Sequence, residues 1–242
     1  MKVVVVGGTG LIGKKVVDKL TALGHEAVVA SPSRGINSVT GEGLAEALAG
    51  AAVVVDVSNT SNWEDRAVLE FFENSTRNLL AHRVGHLVAL SIVGLERVSN
   101  QGYMRAKLRQ EQLIRAGGQP YTIVRATQFA EFAATIANGM TEEGVIRLPQ
   151  AQLQLIAAED VADQLVQAAL AAPFNGTYDI AGPRKASFEQ FVREYLAAQG
   201  DPRKVVVDPH QTYFGVPVVA DELTPTAEAR LGKVDFLDWL AA

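Results

Sequence analysis

No cysteine occurs among the 242 residues, so disulfides, thiolate metal sites and cysteine nucleophiles are excluded by composition. Histidine is scarce as well: the four are His25, His82, His86 and His210. The one suggestive spacing, His82 to His86, is broken by Gly85 where a helix is expected to end, so no metal site is expected. Long apolar runs are missing too. None approaches the ~18 residues that a membrane span requires. The opening Met1-Lys2 and four valines before Gly7 are too short for a signal peptide's apolar core of roughly 7–15 residues. These absences predict a cytoplasmic protein with no membrane partner. Excess positive charge is also lacking: 22 basic against 27 acidic residues give a formal net charge of −5. Electrostatically driven binding to nucleic acid or to an anionic membrane is therefore not expected. With 48% hydrophobic and only 20% charged residues the chain has enough apolar mass for a sizeable core, which excludes disorder.

What is present is an alternation of apolar strands and amphipathic helices. Val3 to Val6 is a β-branched run bounded by glycines, the pattern of a strand buried on both faces in a parallel sheet. Ile12, Val16, Leu20 and Leu23 then recur at helical spacing, with Gly24 as the expected C-cap. Ala27 to Ala30, Val53 to Val57, His86 to Leu90 and Tyr121 to Val124 read as further strands. Leu44 to Leu48, Glu64 to Leu80 and Tyr103 to Arg115 read as the helices between them. The expectation is an α/β fold, a doubly wound parallel sheet of the Rossmann type with right-handed crossovers. In the second half, Asp160 to Leu170 reads as a helix and Gly176 to Ile180 as a strand. A capping box of Ser187 and Gln190 opens a helix carrying Phe188, Phe191, Val192, Tyr195 and Leu196. Val205 to Val207 and a last apolar helix with Phe236, Leu237, Trp239 and Leu240 follow. A single domain over 1–242 is expected, with segments 128–155 and 184–242 forming a small C-terminal lobe on the substrate side.

The turn Gly7-Gly8-Thr9-Gly10-Leu11-Ile12-Gly13 follows the first strand directly and opens the first helix. Glycine there lets the backbone bend sharply and approach a pyrophosphate, while the helix start offers unpaired N–H groups to the anion. In that context the motif is read as a dinucleotide-binding turn, with Gly7, Thr9, Gly10, Leu11, Ile12 and Gly13 along the cofactor. An NAD site usually carries a carboxylate at the end of the second strand, for the ribose hydroxyls. Here that end reads Ala30-Ser31-Pro32-Ser33-Arg34, and Glu26 lies too early. The Ser31 hydroxyl and Arg34 guanidinium suit a 2′-phosphate instead, so NADP(H) is expected over NAD(H).

Ser91 lies at the carboxyl end of the strand that begins at His86, where open α/β sheets place their ligands. Tyr103 follows twelve residues later, and Lys107 is four beyond it, one turn along the same helical face. A neighbouring ammonium is expected to favour the phenolate and lower the tyrosine pKa. The serine hydroxyl would hold a substrate carbonyl while the tyrosine gives its proton.

Ser91 with Tyr103-x-x-x-Lys107 resembles the group used by the short-chain dehydrogenases/reductases. The turn Gly7-x-x-Gly10-x-x-Gly13 is similar to that of their extended and atypical members. Pro120 to Thr127, Ile156 to Ala162 and Gly176 to Pro183 resemble stretches of the atypical NmrA-like branch, so the likeness runs to about residue 200 and is weakest in the tail. The resemblance implies that Val57, Ser58 and Asn59 lie along the cofactor, that Lys107 binds the nicotinamide ribose, and that the loop Thr127-Gln128-Phe129 closes over the nicotinamide. The Asn-Asn-Ala-Gly of conventional members is absent. Several atypical relatives lack the tyrosine and act as cofactor-binding regulators.

Trp63, Gln128, Phe129, Phe132, Met140, Tyr213 and Phe214 are candidates for the substrate side, although aromatic side chains at such positions also build cores. Two functions stay open. One is an NADPH-dependent oxidoreductase passing hydride to a small apolar carbonyl or quinone, with Ser91, Tyr103 and Lys107 catalytic. The other is a non-catalytic NADP(H)-responsive regulator. An epimerase or dehydratase holding NAD tightly is a third reading, which the missing ribose carboxylate disfavours. The helices Glu64 to Leu80 and Tyr103 to Arg115 allow a homodimer, as in many relatives.

Overall fold

The computed structural model describes residues 1–98 and 102–242. In chain order the elements are β1 (Lys2–Val6), α1 (Leu11–Ala22), β2 (Glu26–Ala30), α2 (Leu44–Leu48), β3 (Val53–Asp56), α3 (Asp65–Leu80), β4 (His86–Ile92), α4 (Leu95–Val98), α5 (Gly102–Ala116) and β5 (Tyr121–Ala126). There follow α6 (Ala133–Gly139), β6 (Thr141–Glu142), β7 (Val145–Leu148), β8 (Gln152–Leu153), α7 (Ala158–Leu170), β9 (Gly176–Ala181), β10 (Ala186–Ser187), α8 (Phe188–Gln199), β11 (Lys204–Val207), β12 (Arg230–Leu231) and α9 (Phe236–Ala241).

Seven strands form one sheet in the order β12-β9-β5-β4-β3-β1-β2, the doubly wound arrangement that the alternating pattern predicts. Its pairings are parallel, with Val3 opposite Ala27 and Val53, and Asp56 opposite Val6 and Ala89. The chain leaves β1 for β2 on one side and returns for β3 on the other. The strand order therefore reverses between β1 and β3, where such sheets open a ligand crevice beyond their carboxyl ends.

The chain divides into two compact units. The first comprises residues 1–91, 99–125 and 161–178, and the second 92–98, 126–160 and 179–242. In the first, the two faces of the sheet follow from strand alternation. Val4, Val6, Val54, Leu87, Ala89 and Ile123 pack with Leu44 and Leu48 of α2, Leu79 of α3 and Ile114 of α5. Continuing the same parity puts Asp56 and Ser91 on this face, toward α5. That alternation is what delivers polar side chains from two strand ends to one helix.

The second unit holds two small sheets, β11-β7-β6 and β10-β8, that periodicity did not reveal. Strands of two residues are too short to show a period, and Val145 to Leu148 is paired by Val205 and its neighbours from far along the chain. The capping box forms by half: the Ser187 hydroxyl accepts the Gln190 N–H, while the Gln190 side chain donates to Glu194. Among the described residues no helix is long and apolar enough to cross a membrane.

Candidate active site

The glycine turn is shaped by contacts that no side chain tolerates. Gly7 has φ +80°, and a Cβ on it would stand 2.8 Å from the Ser58 Cα and the Val57 carbonyl oxygen. Gly13 sits so close to the β1 turn that a Cβ would lie 2.1 Å from the Gly7 oxygen. Gly10 is different: its Cβ would meet only the Gly7 oxygen, at 3.3 Å. The residue is exposed and serves as the N-cap of α1, where no side chain caps the helix. Two glycines thus bring helix, strand and the β3 end together, and the third leaves open the space in front of uncapped N–H groups. This cradle fits a pyrophosphate.

At the end of β2, Ser31 is buried and its hydroxyl lies 3.0 Å from that of Ser33. Arg34 is exposed, on a short 3-10 turn from Pro32 to Arg34. No carboxylate follows the strand before Glu42.

At the ends of β3 and β4 the structure assembles a polar group that the sequence reading only partly lists. Asp56, buried at 2% exposure, accepts from the Ser58 backbone N–H at 3.0 Å and the Ser58 hydroxyl at 2.6 Å. Its other oxygen accepts from the Gln110 amide at 2.8 Å. The Gln110 carbonyl oxygen in turn accepts from Lys107. Lys107 also donates to the Leu90 carbonyl at 2.7 Å, and its ammonium lies 4.6 Å from the centre of the Phe72 ring. Burial pushes the Lys107 pKa down to about 8, against the raising effect of the Asp56 and Glu111 charges. Asp56 and Gln110 went unnamed in the sequence reading. The available signal was an aspartate within a valine run, since a buried carboxylate requires donors.

Tyr103 packs against Phe72, with ring centroids 5.6 Å apart, in a cluster with Val68 and Ala106. Burial first, and then the Asp56 charge, raise the phenol pKa well above its ordinary value, with the Asn59 side chain opposing. This corrects the expectation of a lowered value. The Lys107 hydrogen bonds go to Leu90 and Gln110, and the charge that acts on the phenol is the negative one of Asp56.

Ser91 takes another place. Its hydroxyl donates to Glu111 at 2.6 Å, and Glu111, at 1% exposure, also accepts from Arg125 and Arg115 at 2.6 and 2.7 Å. The serine is thus tied into a buried ionic cluster that joins β4, β5 and α5. Tyr103 and Lys107 both meet Phe72, Ser58 binds Asp56, Val57 lines the Gly7 turn, and the Ser91 proton is committed to Glu111.

The substrate-side candidates divide. In the second unit Met140 and Tyr213 are buried, Tyr213 with its ring 5.3 Å from that of Phe188, so both belong to the core. Phe129 and Phe132 stack at 5.5 Å with Phe132 exposed, and Phe214 is exposed. Gln128 is buried, and its side-chain oxygen has no hydrogen-bond partner among the described residues. In the first unit Trp63 is exposed beside Tyr103.

Residues 7–172 match the NAD(P)H-binding family. The chain is 27% identical, over 96% of its length and 86% of the relative's, to a (4-alkanoyl-5-oxo-2,5-dihydrofuran-3-yl)methyl phosphate reductase of Streptomyces griseus. Among solved structures it resembles the UDP-glucose 4-epimerase of Thermotoga maritima with UDP-glucose, at TM-score 0.76 and 16% identity over 99% of this chain and 96% of that one. It also resembles the NADPH-dependent quinone oxidoreductase of Escherichia coli complexed with NADPH, at TM-score 0.68 and 20% identity over 85% and 77%. At these identities the structural likeness is one of fold. With its glycine cradle at the strand-order reversal and the match over most of its length, the chain belongs to the NAD(P)H-binding family.

Proposed function

We propose that this chain is an oxidoreductase that uses NADPH to reduce a small apolar carbonyl or quinone, with Tyr103 giving the proton. The observation that carries this reading is the setting of Tyr103. Burial, with the Asp56 charge acting on it, keeps the phenol protonated at neutral pH, so it retains a proton to give. The bound nicotinamide supplies hydride. Lys107 has three N–H donors and two recorded acceptors, Leu90 and Gln110, which leaves one donor for a ribose hydroxyl. Below a pKa of about 8 it also keeps a positive charge in the site.

The preference for NADPH rests on Arg34 and Ser31. The Arg34 guanidinium is exposed and makes no ion pair or hydrogen bond to the other described residues, and no acidic side chain ends β2 to repel a 2′-phosphate. The curated relative's name describes an unsaturated furanone ring with a further acyl group, which suits a conjugated carbonyl as the acceptor here. Its phosphate is not assigned a counterpart.

One observation favours the second reading, a non-catalytic NADP(H)-binding regulator. Ser91 gives its only proton to Glu111, so the serine donor that conventional chemistry uses is committed. The deciding experiment follows NADPH oxidation across quinones, enones, aldehydes and ketones, with Tyr103→Phe and Lys107→Ala beside wild type. Turnover that Tyr103→Phe reduces at least about tenfold, with NADPH affinity kept, supports the general-acid role. Tight NADPH binding without turnover on any acceptor supports the regulator.

A further inference from the structure

Trp63 is the large apolar side chain that the first unit leaves most open: it is 62% exposed. An indole is among the costliest groups to leave in water, so its place calls for a reason. Looseness does not supply one, because the segment that carries it is built from a series of local bonds. The Thr60 N–H donates to the Asn59 side chain at 2.9 Å, the Asn62 N–H to the Thr60 hydroxyl at 3.1 Å, and the Glu64 N–H to the Asn62 side chain at 3.1 Å. This series begins at Asn59, whose side chain acts on the Tyr103 phenol. The indole lies with its ring centroid 5.4 Å from that of Tyr103, tilted by 55°. On its other side Tyr103 meets Phe72, over which Lys107 stands. One short segment therefore carries both a side chain that acts on the proton donor and an exposed aromatic surface next to it.

We propose that Trp63 is the specificity-determining residue of this site, a fixed aromatic wall that selects planar, conjugated acceptors over aliphatic carbonyls by stacking. The proposal deepens the reductase reading above and rests on it. Stacking on an indole is tolerant of ring substituents and rewards flatness and polarisability. It assigns the recognition of the acceptor's ring to Trp63 and leaves the proton to Tyr103. Substitution at 63 therefore acts on binding of the acceptor and spares the chemical step.

The test compares wild type, Trp63→Phe and Trp63→Leu with two acceptors, 2-methyl-1,4-naphthoquinone and the aliphatic dione 2,3-butanedione. The expected result for Trp63→Leu is a rise of about tenfold or more in KM for the naphthoquinone with kcat within about threefold, an unchanged KM for the dione, and recovery of most of the loss in Trp63→Phe. A naphthoquinone KM that stays within twofold in Trp63→Leu overturns the proposal, as does an equal rise for both acceptors. A second readout needs no turnover. Trp63 and Trp239 are the only tryptophans, so in Trp239→Phe the fluorescence reports Trp63 alone. With NADP+ present, saturable quenching by the naphthoquinone, competed by a colourless planar analogue, is expected. Quenching that stays linear and is not competed overturns the inference. If wild type turns over neither acceptor but quenching saturates, the reductase reading fails and the aromatic binding wall stands.

Discussion

The Gln110 side-chain amide donates to the buried Asp56 carboxylate at 2.8 Å, across 54 positions of sequence. Its oxygen accepts from Lys107, so one neutral side chain links a buried anion and a buried cation that have no recorded direct contact. Removing it leaves two charged groups each short of a partner. Gln110→Leu is expected to lower stability by about 1–3 kcal/mol, measured by urea unfolding at neutral pH. Gln110→Glu carries a second carboxylate toward Asp56 and is expected to cost at least as much. A Gln110→Leu protein as stable as wild type shows the bridge to be idle.

Lys107 gives a pH dependence whose sign is unusual for a lysine. In the folded chain it loses its proton near pH 8, whereas an unfolded lysine holds it to about 10.4. Between these values the unfolded chain binds more protons, so stability rises with pH through this window. The difference in unfolding free energy between wild type and Lys107→Met should therefore grow in favour of wild type from about pH 8 to about pH 10. A difference that is flat or falls over that range removes the argument.

The three motif glycines separate folding from binding. A Cβ on Gly13 would stand 2.1 Å from the Gly7 oxygen, and α1 would have to shift away from β1. Gly13→Ala is expected to cost at least about 1–3 kcal/mol and to lower the melting temperature. At Gly10 a Cβ meets one atom at 3.3 Å, so Gly10→Ala should melt near wild type. It narrows the space before the helix N-terminus, and NADPH affinity is expected to fall about tenfold or more in a fluorescence titration.

Arg34 is tested by the difference between two cofactors. Arg34→Ala should weaken NADPH binding about tenfold or more, in line with loss of one charge-assisted hydrogen bond, and leave NADH binding within about twofold. Equal losses for the two place the guanidinium away from the 2′-phosphate.

Glu111 serves three donors, the Ser91 hydroxyl and the Arg125 and Arg115 guanidiniums. Glu111→Ala strips them together and leaves the half-buried Arg125 without this carboxylate, at an expected cost of about 3–5 kcal/mol in denaturant unfolding. Ser91→Ala keeps both ion pairs and is expected to cost about 1 kcal/mol. A large loss of turnover in Ser91→Ala with stability kept reinstates the serine as a substrate ligand.

Much of the fold was legible because its signals are local. Val3 to Val6 and Val53 to Asp56 announce buried parallel strands, and helical spacing marks α1, α3, α5 and α8, each within a few residues of its observed bounds. The glycine turn was legible for the same reason: Gly10 and Gly13 answer to the backbone of Gly7 and Gly8, within the seven residues of the motif, while Gly7 also meets Val57 and Ser58. Tyr103 and Lys107 were found because a helix fixes the face shared by positions four apart. Met140 and Tyr213 stayed open between pocket and core, since an apolar side chain reads alike in either, and both are buried.

By itself, then, the sequence determined the doubly wound sheet, the glycine turn and the placing of Tyr103 and Lys107 one turn apart on α5, all of which follow from chain geometry over a dozen residues or fewer. Strand register and helix placement decided the rest. Alternation along β3 aims Asp56 at α5, where Gln110 receives it, and alternation along β4 hands Ser91 to Glu111. The sign of the Tyr103 shift followed from those placements. A nearby lysine predicts a lowered pKa, but burial and the Asp56 carboxylate raise it, and only packing decides which charge a buried phenol meets.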